Sequence, residues 1–351
     1  MKPIVTIREL AKEIGLSPTT VSMVLNSAPL ARNLPEETKL RVREAAKRLG
    51  YSPNPFARYL RSSRSASVAI LLSDITDPYC AAVLKGIDSS LYASSYVPVL
   101  LDIENSRAKF KHNLQKLVDR RIEGIIGVAN SLLLQTALLT TIKKHELPIV
   151  LIGREADGVG ISSVSIENDV GARLAIKHLY DLGHRKIGFL KGPKDIVDST
   201  RRWEGITRFA NEVGLAIDPK LIVQLQHPGT SYEAGFQAAG ELLRRKRQFT
   251  ALLAFDDLTA FGAIRAVTLA GRNVPFDCSV IGFDDVAAAA FYNPPLTTVR
   301  QPMEALGASA VEIFFGLADA FFTKSEFTPV HRKIKPKLVI RDSTSQPFQQ
   351  S

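Results

Sequence analysis

The chain has 351 residues, with 45 Lys+Arg against 35 Asp+Glu for a formal net charge of +10. It has room for a small head and two further subdomains of ordinary size. No run of about 18 uncharged apolar residues and no apolar leader are present, so neither a membrane span nor a secretory signal is expected. Cys80 and Cys278 neither frame a disulfide scaffold nor have neighbours at metal-ligand spacing, and a cytoplasmic protein is the expectation.

The first predicted helix starts at a capping box, Thr6 with Glu9, and buries Ile7, Leu10, Ala11 and Ile14 at the spacing of one helical face. Gly15 supplies a left-handed stop, and Ser17 with Pro18 caps and opens a second helix. There Val21, Val24, Leu25 and Ala28 fall on one face, leaving Pro18, Thr19, Ser22, Met23 and Asn26 on the other. A helix-turn-helix presents such a short polar face to base edges in the major groove, although an ordinary helical hairpin fits these residues equally well. A third helix carries Thr38, Val42, Ala45, Ala46 and Leu49 and ends at Gly50. The following stretch, capped by Asn54 and Pro55, has room for only about two turns and is too short to stand alone in water.

Three segments carry a specific likeness: TIRELAKEIGLSPTTVSMVLN at the start, TKLRVREAAKRLGYSPNPFARYL after it, and the core segments given below. They resemble the lactose-repressor (LacI/GalR) family of bacterial transcription regulators, and the likeness runs to about residue 342. It implies a DNA-binding set of Thr6, Ser17, Pro18, Thr19, Thr20, Ser22, Met23 and Asn26 in the head. Asn54, Arg58, Leu60 and Arg61 join them from a hinge helix that pairs with its dimer mate in the minor groove. Leu60 would be the wedge at the central base step, where an inserted apolar side chain trades unstacking for a bent duplex. Charge follows the same division. Residues 1–66 hold 12 Lys+Arg and 5 Glu, so +7 of the total +10 lies there, where it would give salt-sensitive, sequence-independent attraction to phosphates. The basic run Arg244–Arg247 reads as a solvated helix end.

From Ser67 onward, short β-branched runs alternate with helical stretches. VAILL precedes a helix near 79–93, VPVLL one near 106–121 and GIIGV one near 131–145, followed by PIVLI. A second series comprises SSVSI, KIGFL, LIVQL, ALLAF and SVIGF. This is the pattern of parallel sheets with crossover helices, so the fold class is an α/β core of two doubly wound subdomains behind an all-α head. Ligands on such sheets sit beyond the carboxyl ends of the strands, which directs attention to loops 73–80, 153–157, 192–202, 256–258 and 284–285.

The segments GHRKIGFLKGP, AFDDLTAFGAIRA and VIGFDDVAAAAFYNPPLTTVRQP, and the Arg202-x-x-Gly205 element, resemble the family's effector-binding core, which is shaped like a periplasmic sugar-binding protein. The resemblance implies that Arg202 forks onto effector oxygens and that Asp284 accepts from the opposite side; a planar guanidinium suits the first task. It adds Ser73, Asp77, Tyr79, Arg154 and Asp256 as further effector contacts.

It also implies a head at 1–52, a hinge and linker at 53–66, and an effector-binding and dimerisation core at 67–342, with a tail at 343–351. Within the core, an N-subdomain takes about 67–165 plus 300–330 and a C-subdomain about 166–299 plus 331–342. The expected partners are a pseudo-palindromic double-stranded DNA operator, a homodimer mate and a small polar effector, a sugar or sugar derivative. No cofactor, metal or membrane is expected.

Three positions depart from the family pattern. Met23 stands where many members read bases with a polar or basic side chain, favouring contact with a thymine methyl. Gly153 replaces a frequent acid, and Thr230 a stacking aromatic, which weighs against a common hexose. No GxSxG, GxxxxGK[ST], strand-linked GxGxxG or HExxH occurs, which argues against an enzyme. His184 reads as structural. An exported sugar-binding protein would lack the basic head, and an effector-free architectural DNA-bender would leave the Arg202 and Asp284 pair without a purpose. The apolar stretch around Ile313–Phe322 reads as a core helix, and without a terminal heptad repeat no coiled-coil tetramer is expected.

Overall fold

The computed structural model describes residues 5–26, 28–51, 64–104, 106–128, 147–153, 161–226, 231–245 and 247–348. They form two units, residues 1–65 and 66–351.

The first unit is helical. Helix α1 (Ile7–Glu13) begins in a complete capping box, in which Glu9 N–H donates to the Thr6 hydroxyl at 3.3 Å and Thr6 N–H to Glu9 Oε2 at 2.7 Å. Gly15, at φ +65°, takes the left-handed conformation that costs a side-chain-bearing residue energy and so permits the tight turn into α2 (Pro18–Leu25). The Ser17 hydroxyl accepts from Thr20 N–H at 3.0 Å to cap α2. Helix α3 (Glu36–Leu49) carries Glu36 and Glu37 in its first turn and Lys47 and Arg48 in its last, matching the helix dipole, and stops at Gly50 with φ +66°. Leu10, Ala11, Val21, Val24, Val42, Ala45 and Ala46 close a small common core. Ala28 departs from its expected place on the α2 face: the helix ends at Leu25, and Ala28 caps a 3₁₀ turn, Pro29–Asn33, instead.

In the second unit the first sheet contains β1 (Ser67–Leu72), β2 (Val97–Asp102), β3 (Ile125–Val128), β4 (Ile149–Ile152) and β5 (Ser162–Ile166), with α4 (Pro78–Leu91) and α5 (Arg107–Asp119) between them. The chain then passes to α6 (Asn168–Asp181), β6 (Ile187–Lys191), α7 (Val197–Glu212), β7 (Ile222–Gln224), α8 (Tyr232–Arg244), β8 (Ala251–Ala254), α9 (Asp257–Leu269), β9 (Ser279–Asp284) and β10 (Thr297–Arg300). It returns through α10 (Met303–Thr323) to β11 (His331–Ile334) and β12 (Lys337–Val339). The sheet orders are β2-β1-β3-β4-β5-β11 and β7-β6-β8-β9-β10-β12, the same winding twice. All described pairings are parallel except β10 with β12. Strands such as β3, β4 and β8 are buried along their whole length, as expected where helices cover both faces.

Two expected boundaries shift. β11 hydrogen-bonds to β5 in the first sheet, so residues 331–334 belong to the N-subdomain and the last crossing falls at Lys335–Pro336 rather than at 330. β10, ending at Arg300, belongs to the second sheet. Residues 343–345 are core rather than tail. Ser343 is fully buried, accepting from Thr297 N–H at 2.8 Å and donating to Val280 O at 2.6 Å. His184 holds Ser345: its Nε2 lies 2.9 Å from the Ser345 carbonyl, which can only accept, so Nε2 carries the proton and Nδ1 accepts from the Thr250 hydroxyl at 2.8 Å.

By length and composition α10 is the one described helix apolar enough to cross a membrane. It instead packs against α4 and the first sheet, burying Leu306, Ala310, Val311, Ile313 and Phe314. The expected helix at 131–145 lies outside the described residues.

Candidate functional site

In each sheet the strand order reverses once, between β1 and β3 and between β6 and β8. The expected effector residues gather at the carboxyl ends of strands around these reversals. Asp77 is the N-cap of α4, just beyond β1, and its Oδ1 accepts from Tyr79 N–H at 2.9 Å. Burial raises its carboxyl to about 6, offset in part by that hydrogen bond. Tyr79 is 6% exposed, and burial among Asp198, Asp284 and Asp77 lifts its phenol well above the usual range. Ser73 is turned to the Cys80 thiol, 3.4 Å away, and burial drives that thiol to about 12, so it is neutral.

On the second sheet Arg202, in α7, is 6% exposed and held on every side. Nε donates to Asn168 Oδ1 at 2.9 Å and Nη1 to the Phe255 carbonyl at 2.5 Å. The guanidinium lies over the Phe283 ring at 3.6 Å and near the Phe255 ring at 4.5 Å. Nη2 faces Asp284 Oδ1 at 3.7 Å. The pair was expected to approach a ligand from opposite sides; both residues stand on the second sheet, side by side, because α7 brings Arg202 alongside the end of β9. Asp284 accepts from Gln301 Nε2 at 2.5 Å, and burial raises its carboxyl well above the ordinary value despite Arg202. Its backbone sits at φ +124° and that of Asp285 at +59°, a costly conformation for non-glycine residues.

Asp256, the N-cap of α9, accepts from Thr259 N–H at 2.8 Å and is raised by burial. Its neighbour Asp257 serves the scaffold: it accepts from the Thr298 hydroxyl and Val286 N–H, while Asp285 is clamped by Arg300 and Arg341. A cavity of about 280 Å³ opens between Gly153 at the end of β4, Asn168 and Asp198. Arg154 and Thr230 lie outside the described residues. Sequence reading missed Asn168, Phe255, Phe283 and Gln301. Phe255 and Phe283 each directly precede one of the site acids, a signal that was present but uninterpreted.

In the head, Thr6, Ser17, Pro18, Thr19 and Asn26 are exposed, and Thr20 and Met23 are partly buried. Ser22 is buried at 7% exposure, and Asn26 Nδ2 donates to its carbonyl and hydroxyl at 2.8 and 3.1 Å. Ser22, expected on the exposed face of α2, is thus buried. Asn54, Arg58, Leu60 and Arg61 lie outside the described residues.

Residues 6–54 match the model of bacterial regulatory proteins, lacI family, and residues 176–344 that of a periplasmic binding protein-like domain. The HTH-type transcriptional repressor PurR of Pasteurella multocida is 33% identical over 96% of this chain and 98% of its own length. The chain belongs to the LacI family. Its fold follows that of the lac repressor dimer bound to operator and the anti-inducer ONPF, with a TM-score of 0.85 and 25% identity over 98% of this chain and 100% of that one. The transcriptional regulator CelR in complex with cellobiose gives 0.71 and 28% over 97% and 99%. As a LacI-family member, the protein is a DNA-binding transcription regulator with an effector-binding core, and not an enzyme.

Proposed function

We propose that the protein is a homodimeric repressor of a catabolic or transport operon, acting on the nucleoid in the cytoplasm, whose operator affinity is set by a small polar effector. The observation that carries this reading is the presence, in a chain that starts with a helix-turn-helix head, of a buried Arg202 already oriented by Asn168, Phe255 and Phe283 beside Asp284. So thoroughly held a guanidinium has little orientation left to lose on binding.

In this reading Thr6, Ser17 and Thr20 fix the head on phosphates, while Thr19, Met23 and Asn26 meet base edges. Two-fold symmetry of the dimer is mirrored in the operator, and the Leu60 pair levers apart its central step. Effector joins Asp77 and Tyr79 on one subdomain to Arg202, Asp256 and Asp284 on the other, and its different affinity for open and closed cores drives the switch.

Selection of duplex DNA from a random pool by the full-length protein tests the first half: a palindrome of about 14 to 20 base pairs is expected, and unsymmetric or no enrichment sinks it. Operator release by cell metabolite fractions, compared between the parent and Arg202→Ala, tests the second. A response that survives the substitution removes the cleft from the mechanism. A Leu60→Ala variant that binds and bends operator like the parent removes the wedge.

A further inference from the structure

Beyond the effector reading, we propose that the second sheet carries a separate ligand site at its opposite rim and that this site takes a nucleotide, with phosphoryl groups on an arginine and lysine cluster and the base on exposed phenylalanine rings. A cavity of about 680 Å³ opens there, at the amino ends of β6, β8 and β9, between the turns that enter those strands and the last described residues of the chain. Small-molecule pockets span about 300–1,000 Å³. Asp256 and Asp284 stand at the carboxyl ends of the same strands, so the cavity and the effector residues do not overlap. Four cations line it, Arg185 and Lys186 before β6, Arg247 before β8 and Arg272 before β9, against one acid, Asp277. Asp277 is already engaged, its Oδ2 accepting from Asn273 N–H at 2.7 Å. Lys246, Gln349, Gln350 and Ser351, the sequence neighbours outside the described residues, add no acidic side chain.

Two of the guanidinium groups are fixed in advance. Arg185 Nη1 donates to the Tyr180 and His184 carbonyls at 2.8 and 3.1 Å, and the group lies over the Tyr180 ring at 3.8 Å. Arg272 Nη2 donates to the Phe249 and Asp277 carbonyls at 2.9 and 2.6 Å, and its group lies over the Phe249 ring at 4.8 Å. Capping those carbonyls uses one nitrogen of each group, and a group already held loses little freedom on binding. The basic run before β8 divides: Arg245 is spent on Lys220 O, Ile222 O and Glu241, whereas Arg247 lines the cavity. Phe276 and Phe348 line it too, with 68% and 75% of their surface exposed. A flat heteroaromatic ring covers such side chains and stacks on guanidinium planes. Inorganic phosphate would leave those rings in water, a neutral sugar would leave four cations unanswered, and a second copy of this face would set like charges together. A phosphorylated ring compound meets both halves, its phosphate oxygens matched to the arginine forks.

The test is titration calorimetry and thermal melting of the full-length protein with four probes: ATP, GTP, adenosine and inorganic tripolyphosphate. At least one nucleotide should bind and raise the melting temperature, with adenosine and tripolyphosphate each weaker by roughly tenfold or more, and its affinity should fall as salt rises. The head is basic as well, so variants locate the site. Lys186→Glu and Arg247→Glu, both exposed, should each weaken the nucleotide by roughly tenfold or more while the ligand-free melt stays unchanged. Phe276→Ser should weaken the nucleotide and leave tripolyphosphate as it was, and Arg202→Ala should change neither. Nucleotide bound alike by the parent and both glutamate variants overturns the proposal, as does tripolyphosphate bound as tightly as nucleotide. Failure of ATP and GTP to bind overturns it too. Binding lost in Arg202→Ala and kept in the glutamate variants puts the nucleotide among the effector residues, which also overturns this site and leaves the effector reading standing.

Discussion

Asp77 makes the cost of burying a carboxyl beyond β1 measurable. Its carboxyl sits at about 6 in the folded chain against 3.8 for the free side chain, so between these values the folded state holds the extra proton and stability falls as pH rises. Asp77→Asn removes the penalty: at pH 7.5 it should be more stable than the parent by on the order of 2 kcal/mol, read as a raised melting temperature, and the gap should close as pH falls from 6 toward 4. A constant gap would show that burial of Asp77 is not its source. Asp284 combines a site carboxylate with a backbone at φ +124°. Asp284→Gly should therefore unfold about 1 kcal/mol less readily than Asp284→Ala, with effector response lost in both; equal melting points would mean that the strain is not borne there. Arg202 and Asp284 were legible as motif positions. Their adjacency was not, because it depends on Phe255 and Asn168, 53 and 34 residues away from Arg202 in the chain.

Helix starts and stops were written in local chemistry, as at Thr6 with Glu9, Ser17 and Gly50, and the structure places them accordingly. Packing distance was not. Gly86 in α4 and Gly307 in α10 face each other so closely that a Cβ on Gly307 would stand 2.3 Å from Val83 O, and one on Gly86 2.0 Å from Glu304 O. Neither clash involves a flexible side chain that could move aside. Gly307→Ala should lower stability by about 1–3 kcal/mol with operator specificity intact, seen as a reduced melting temperature and an unchanged selected sequence. The misplaced subdomain boundary has a similar origin. HRKIKPKLVI reads as one basic, strand-forming run, yet Pro336, which has no N–H to donate to a ladder, divides it into β11 and β12 on different sheets.

At the scale of the molecule, charge and fold are divided between the parts: residues 1–66 hold +7 of the net +10, and the core is nearly balanced. If a dimer neutralises about 6 to 10 phosphates, operator affinity should drop by about 10³ to 10⁵ between 50 and 200 mM salt, measured by fluorescence anisotropy. A flat response would deny the head its electrostatic part. The doubled winding was legible from the alternation of strands and helices, whereas the three passages between the subdomains were only partly so, because edge strands β11 and β12 have no buried residue to mark them. Those two strands complete both sheets from a single stretch near the end of the chain. A premature stop codon or a proteolytic cut just before His331 would thus bare the rims of β5 and β10 in the same stroke. The truncated product would not be a weakened regulator with one loose flap: it would expose two unpaired backbone rows to other chains and enter the cell's aggregation and degradation pathways before it could compete for operator.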